Sequence, residues 1–297
     1  RIAEEVLAEC VDADAILAEY APFPRSVLEK LKKCKIISNT AIGYDNIDVT
    51  AAAELNIAVA NVPGYCAYEV ADHAMALLLA LNRNIVGYER DVRKGVWEVN
   101  SFVMPIRRLA GQTLGLIGFG GIAQKVAARA RSFGLTVLAY SPSVSREFAE
   151  ARGVRLVELE ELLSSADIIS VHLPLKASTA GFLNKERFGL MQKKPLLINT
   201  ARGKVINEED LIAALDSGLI SGAALDVMAD EPPDFASPLF KFENVIITPH
   251  AGFYSETALE EVRRRSALNV THFFAGDYSD INIVNKDILA NALPGKK

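Results

Sequence analysis

The sequence predicts an α/β fold organised on a doubly wound parallel sheet, and three observations carry that prediction. The stretch Gln112–Pro142 reads as one βαβ unit. Short apolar runs alternate with helical patterns on both sides of it. The chain has 297 residues, 50% of them hydrophobic, which suggests two domains with ample core.

In the βαβ unit, Thr113–Ile117 is almost wholly apolar, as in a strand buried on both faces. Gly118-Phe119-Gly120-Gly121-Ile122-Ala123 follows at once. Val126, Ala127, Ala130 and Phe133 then recur at helical spacing, Gly134 stops the helix, and Thr136–Tyr140 is the second strand. The turn matches G-x-G-x-x-A, the pattern of a dinucleotide site. Gly118 permits the tight exit from the strand, Gly120 lets a pyrophosphate approach the backbone, and Ala123 lets helix and strand pack closely. The helix N-terminus offers N–H groups to the phosphates. Alone, the pattern would fit any glycine-rich strand-to-helix turn; the strands before and after it give it weight.

Ahead of this unit, helices are predicted at Ile2–Cys10 and Ser26–Cys34 and a short strand at Ala15–Leu17, with Pro22 and Pro24 breaking the chain between. Lys35–Ser38 is a strand, residues 39–46 a loop, Ala51–Leu55 a helix and Ile57–Ala60 another strand, so a small parallel sheet is expected. One long helix is predicted from Tyr68 to Arg93, with Val70, Ala74, Leu77, Leu78, Leu81 and Ile85 on its apolar face. At ~1.5 Å per residue it would be long enough to bridge two domains. Gly95–Leu109 reads as irregular and holds the only tryptophan, Trp97.

Beyond Pro142 a short helix closes at Leu162-Leu163, followed by a strand at Ile168–Leu173, a helix at Asn184–Met191 and a strand at Leu196–Asn199. Asn207 is placed to cap a helix with an acidic first turn that stops at Gly218. Further strands fall at Ala223–Val227 and Val245–Thr248, and Ser255 starts a closing helix that ends near Gly276. Six strands, beginning near 113, 136, 168, 196, 223 and 245, make the larger sheet.

A net charge of −5 gives no reason to invoke nucleic acid or an anionic membrane. The longest apolar run, Ala74–Leu81, falls short of the ~18 residues of a membrane span. No signal peptide pattern is visible, and Arg1 in place of Met suggests a trimmed start. Cys10, Cys34 and Cys66 are scattered and odd in number, which fits reduced thiols in the cytoplasm better than disulfides or a metal site.

In an open parallel sheet, ligands bind beyond the carboxyl ends of the strands. Those ends carry Gly118-Phe119-Gly120, Ser141, His172-Leu173-Pro174, Thr200-Ala201-Arg202-Gly203, Asp226 with Glu231, and His250-Ala251-Gly252. An arginine, a glutamate and a histidine on one edge form a set suited to carbonyl reduction. Arginine grips a carboxylate, histidine exchanges a proton with the reacting oxygen, and the glutamate orients the histidine. Against this, Arg202 reads equally well as a surface ion-pair partner, Glu231 as a loop charge, and His172 as a lining residue. His73 and His272 lie within helical patterns and read as structural or surface residues.

The sequence resembles the D-isomer-specific 2-hydroxyacid dehydrogenases over nearly its whole length. The matching stretches are Gly43–Asp48, Pro105–Leu109 through the glycine turn, VHLPLKASTAGFLN at 171–184, LINTARGKVINEEDLIAAL at 197–215, GAALDVMADEP at 222–232, NVIITPHAG at 244–252 and INIVN at 281–285. The resemblance implies two Rossmann- or flavodoxin-like domains. Residues 1–75 and 276–297 would form the substrate domain, its opening strand missing ahead of Arg1. Residues 76–275, including the bridging helix, would form an inserted NAD(P)-binding domain, through which a homodimer is expected. It implies that His250 protonates the carbonyl oxygen, Glu231 supports His250, and Arg202 binds the substrate carboxylate together with the Ile42 and Gly43 N–H groups. Cofactor contacts would come from Gly118, Gly120, Gly121, Ile122, Ser141, Leu173, Pro174, Thr200, Ala201, Arg202, Asp226, His250 and Gly252.

Three departures from the family pattern stand out: Ala41 for a common glycine, Gly121 for a basic or polar residue, and Ser141 where NAD-dependent members carry an acid. The last leans the expected cofactor toward NADP over NAD. Phosphoglycerate dehydrogenases carry arginines where this chain has Ala18 and Asn39, so small non-phosphorylated 2-keto acids such as glyoxylate or hydroxypyruvate are the expected substrates. The alternatives are a nucleotide-sensing, corepressor-like binding protein and a D-3-phosphoglycerate dehydrogenase.

Overall fold

A mixed four-stranded sheet and a parallel seven-stranded sheet divide the chain into a unit formed by residues 1–65 and 255–297 and a second unit formed by Cys66–Tyr254. The computed structural model describes residues 3–100, 105–287 and 289. The expected helix start at Ile2, residues 101–104 of the irregular stretch and most of the 288–297 tail lie outside the described residues.

The first unit opens with α1 (Ala3–Cys10), β1 (Ala15–Ala18), α2 (Arg25–Leu28), β2 (Ile36–Asn39), α3 (Val49–Glu54) and β3 (Ala58–Asn61). Its strands are short and apolar because both faces are covered. Ile37 and Val59 join Ile16, Val27, Leu28 and Ala52 on one face. Ile36, Ala58 and Ala60 point to the other face, alternating as the pleat demands. Asp48 caps α3 by accepting from the Ala51 N–H at 2.9 Å.

The second unit contains α4 (Ala67–Asn82), α5 (Ile85–Arg93), β4 (Thr113–Ile117), α6 (Gly121–Ser132), β5 (Thr136–Tyr140), α7 (Arg146–Glu150), β6 (Arg155–Leu156), α8 (Leu159–Ser165), β7 (Ile168–Val171), α9 (Lys185–Gly189), β8 (Leu196–Asn199), α10 (Glu208–Asp216), β9 (Gly222–Leu225) and β10 (Val245–Ile247). The single helix expected from Tyr68 to Arg93 is two helices. Asn84 sits between them in the left-handed region at φ 52°, where the helix cannot continue. The sheet has seven strands rather than six, in the order β10-β9-β8-β7-β4-β5-β6, all parallel. The extra strand is the two-residue β6 at the edge.

The order reverses at β4, which lies between β5 and β7. Leu114, Leu116, Val137, Ile168 and Ile198 pack under α4 and α6 on one face. Ile117, Ile169, Val171, Leu197 and Leu225 pack under α8, α9 and α10 on the other. The crevice beyond the β4 and β7 carboxyl ends is the position at which such sheets bind ligands.

The chain returns through α11 (Glu256–Ala275) and β11 (Asn282–Ile283), which pairs antiparallel with β3. The contact division falls at 65/66 and 254/255, whereas the sequence-based boundaries stand at 75/76 and 275/276. The closing helix groups with the first unit for a local reason. Ser38 of β2 donates to the Ser266 carbonyl at 3.0 Å, and Asn269 donates to Ser38 at 3.1 Å and to the Asn61 carbonyl at 3.3 Å. These buried polar pairs tie α11 to its sheet. Beyond β11, the Asn285 amide accepts from the Val59 N–H at 2.9 Å and donates to the Ile57 carbonyl at 3.0 Å.

Candidate active site

The expected nucleotide and acid–base residues of the second unit all lie just past the carboxyl ends of its strands. Gly118, Gly120, Gly121 and Ile122 follow β4, Ser141 follows β5, and Leu173 and Pro174 follow β7. Thr200, Ala201 and Arg202 follow β8, Asp226 follows β9, and His250 and Gly252 follow β10. Ile42 and Gly43 belong to the other unit, where Asn61 donates to the Ile42 carbonyl at 2.7 Å and Asn39 to the Gly43 carbonyl at 2.6 Å. Those two bonds pin the loop from its carbonyl side.

The glycine turn is shaped by space as well as by torsion. Gly118 has φ +95°, and a Cβ there would meet the His172 carbonyl oxygen at 2.8 Å. Only glycine satisfies both conditions at this crossing of β4 and β7. At Gly120 and Gly121 a built Cβ meets nothing within 4 Å, so the start of the 12-residue α6 is open. Thr200 is buried, and its Oγ1 has no hydrogen-bond partner among the described residues. An open helix start and an orphaned hydroxyl on one sheet edge fit a dinucleotide, whose phosphates and ribose would supply the missing partners.

Burial pushes the His172 imidazole down to about 4, and its Nε2 meets Ser170 Oγ at 2.9 Å. The ring is therefore neutral at neutral pH. An unfolded histidine, near 6.5, takes up the proton that the folded ring refuses. Stability from this group is complete above roughly pH 6.5 and is lost as pH falls toward 4, by at most about 3 kcal/mol. Chemical denaturation at pH 7 and pH 4.5 is expected to show a smaller acid loss in His172→Gln than in the parent chain.

His250 Nδ1 lies 2.7 Å from Glu231 Oε2, while Glu231 Oε1 accepts from the Met228 N–H at 3.0 Å. Burial pushes the Glu231 carboxyl up, but the bonds from His250 and Met228 and the charges of His250 and Arg202 outweigh it. The carboxyl therefore stays below its ordinary range. Arg202 is thus close enough for its charge to act on Glu231. Asn199 organises the Arg202 turn: it accepts from the Ala201 N–H and donates to the Arg202 carbonyl, both at 3.0 Å. Arg202 Nη1 donates to the Ala201 carbonyl at 2.8 Å. Such a set can hold an anion, present a proton and keep the proton carrier in one orientation.

His250 itself stands in the left-handed region at φ 52°, and its N–H donates to the Asp226 carbonyl at 2.7 Å. Asp226 is 2% exposed. Its carboxylate accepts from Thr248 Oγ1 at 2.6 Å, the Ala251 N–H at 2.9 Å and the Gly252 N–H at 2.8 Å. His73 of α4 brings Nε2 to 3.1 Å from the same carboxylate and 3.0 Å from Thr248 Oγ1. Burial pushes the Asp226 carboxyl up, and the bonds from His73, Thr248 and the two amides more than reverse that. Sequence reading gave Thr248 no role and took His73 as a structural or surface residue. No local pattern marks their meeting, because 175 residues separate them.

Among the described residues no group of histidine, cysteine and carboxylate side chains is arranged to hold a metal ion, and no helix is long and apolar enough to cross a membrane. The family described as D-isomer specific 2-hydroxyacid dehydrogenase, NAD binding domain, matches residues 75–252. A D-3-phosphoglycerate dehydrogenase of Methanocaldococcus jannaschii is 38% identical over 295 residues, 99% of this chain and 56% of that one. The chain thus spans little more than half of that relative. A glyoxylate reductase of Thermococcus litoralis is 40% identical over 275 residues, 91% of this chain and 82% of its own. Among solved structures, D-lactate dehydrogenase from Aquifex aeolicus, complexed with NAD and lactic acid, superposes with a TM-score of 0.86. It is 32% identical, with 94% of this chain and 89% of that one covered.

Proposed function

The chain belongs to the D-isomer-specific 2-hydroxyacid dehydrogenase family, and on that premise we propose that it interconverts a small 2-keto acid and the D-2-hydroxy acid with NAD(P) as cofactor. The observation that carries this reading is the 2.7 Å pair of His250 and Glu231, with the charge of Arg202 acting on the same carboxylate. A bound nicotinamide supplies or accepts the hydride. Arg202 holds the substrate carboxylate and polarises its neighbouring carbonyl. With Nδ1 engaged by Glu231, His250 presents Nε2 to the carbonyl oxygen and transfers the proton there.

The substrate is non-phosphorylated in this reading. Ala18 and Asn39 are both buried, and Asn39 is committed to the Gly43 carbonyl. A dianionic phosphate would lack cationic partners there. The test is cofactor oxidation across glyoxylate, hydroxypyruvate and longer apolar 2-keto acids, with 3-phosphoglycerate in the reverse direction. Turnover of the small keto acids is expected. Efficient oxidation of 3-phosphoglycerate overturns the substrate assignment. Cofactor-dependent partner binding without any turnover favours a nucleotide-sensing role instead.

We assign the cofactor preference to NADP. Ser141 Oγ stands 3.5 Å from Ser143 Oγ, and exposed Arg146 opens α7 just beyond. A carboxylate at 141 would repel a 2′-phosphate ~4 Å away by roughly 4 kcal/mol at an effective dielectric near 20, and less where solvent screens it. Ser141→Asp is expected to move the kcat/KM ratio toward NADH by about tenfold or more. A wild-type preference for NADH of tenfold or more overturns the assignment, as does a ratio unmoved by both Ser141→Asp and Arg146→Ala. A homodimer is the proposed assembly; Ile85, Val86 and Val92 on α5 and Trp97 beyond it are exposed apolar side chains of the second unit. Sedimentation measures it directly.

A further inference from the structure

We infer that His73 is a positioning residue for His250, acting through the Asp226 carboxylate and Thr248; the inference rests on the catalytic reading of His250 above. Asp226 builds the turn from two ends of itself. Its carbonyl accepts the His250 N–H, and its carboxylate accepts the Ala251 and Gly252 N–H groups on the far side. The Thr248 hydroxyl reaches the same carboxylate from the near side. The residues flanking His250 on both sides thus bond one buried group, and His250 keeps its left-handed backbone between them.

The geometry also fixes which atoms donate. The Thr248 hydrogen is directed at Asp226 over 2.6 Å, so the Thr248 oxygen is left to accept. A carboxylate only accepts. His73 Nε2, within 3.1 Å of both, must therefore carry the hydrogen and donate to the pair. Gly252 is bare for the same reason. A Cβ there would meet Asp226 Oδ2 at 2.8 Å and His73 Cδ2 at 3.4 Å. Without the His73 donor, the buried carboxylate is short of a partner and pulls on the remaining three, all of which belong to the turn.

The test compares His73→Phe, which keeps the ring bulk and removes the donor, with His73→Gln, whose terminal amide reaches about as far as Nε2. In His73→Phe, kcat for keto-acid reduction is expected to fall by ~10–100-fold, the scale of a misplacement of about 1 Å. The KM values and cofactor affinity are expected to stay within about threefold. His73→Gln is expected to recover most of the lost kcat. An unchanged kcat in His73→Phe overturns the inference, and so does a His73→Gln as slow as His73→Phe at equal thermal stability. If the parent chain reduces none of the acids, the proposed function falls but this inference is still decided by amide hydrogen exchange at Ala251 and Gly252. Faster exchange in His73→Phe alone upholds it; equal exchange in all three chains overturns it.

Discussion

His250→Asn is expected to lower kcat/KM for keto-acid reduction by ~10²–10⁴-fold, the range for loss of a positioned acid–base group. Asparagine is the informative replacement because His250 stands at φ 52°. Alanine is disfavoured in that region, whereas asparagine tolerates it, so the turn survives and the loss is chemical. Glu231→Gln is expected to show a smaller loss, because the proton carrier remains but its orienting charge is gone. Steady-state rates with saturating cofactor, alongside thermal melts, separate the two effects. A His250→Asn chain within threefold of the parent removes the assignment.

Gly203→Ala is expected to damage both stability and turnover, although glycine 203 touches no substrate in this reading. A Cβ built there runs into the carbonyl group of Met228 and the nitrogen of Ala229, both backbone. Backbone cannot swing aside as a side-chain tip would. Gly203 follows Arg202 directly, and Met228 donates its N–H to Glu231. The bare position lets the turn carrying Arg202 lie against the turn that holds Glu231. Overpacking of this kind costs about 1–3 kcal/mol, and a shift near 1 Å between the two turns costs up to ~10²-fold in kcat. Gly189→Ala is the control, since a Cβ there meets nothing within 4 Å. Denaturation and kcat measured on both variants decide it; a Gly203→Ala chain indistinguishable from Gly189→Ala would refute the coupling of the two turns.

The sheet edge that carries these groups was legible because it is written in local signals. Apolar runs of four or five residues, a glycine turn and capping residues such as Asn207 and Ser255 each act within a few positions. What escaped the sequence is non-local or torsional. The break at Asn84 leaves apolar spacing intact on both sides, and periodicity carries no record of one residue's φ. Strand β6 is too short to alternate. The amphipathic pattern of α11 shows that one face is buried but not against which sheet. Only Ser266 and Asn269, polar residues on that buried face, hint that matching polar partners await them. The His73–Asp226 contact has no sequence signature at all, since each residue is ordinary in its own segment.

Asn285 has a consequence for how the first unit keeps to itself in solution. Strand β3 would otherwise end its sheet as a bare edge, with Ala58, Val59 and Ala60 all buried and uncharged. Such an edge is a template on which other chains can add strands. Two residues of β11 cover its far end, and the amide of Asn285 imitates a further paired residue by bonding Ile57 and Val59 at once. The returning segment thus works as a guard against aggregation, supplied from 226 residues further along the chain than Val59 of the strand it covers. A chain whose synthesis has not yet passed Asn285 carries β3 unguarded and open to strand addition.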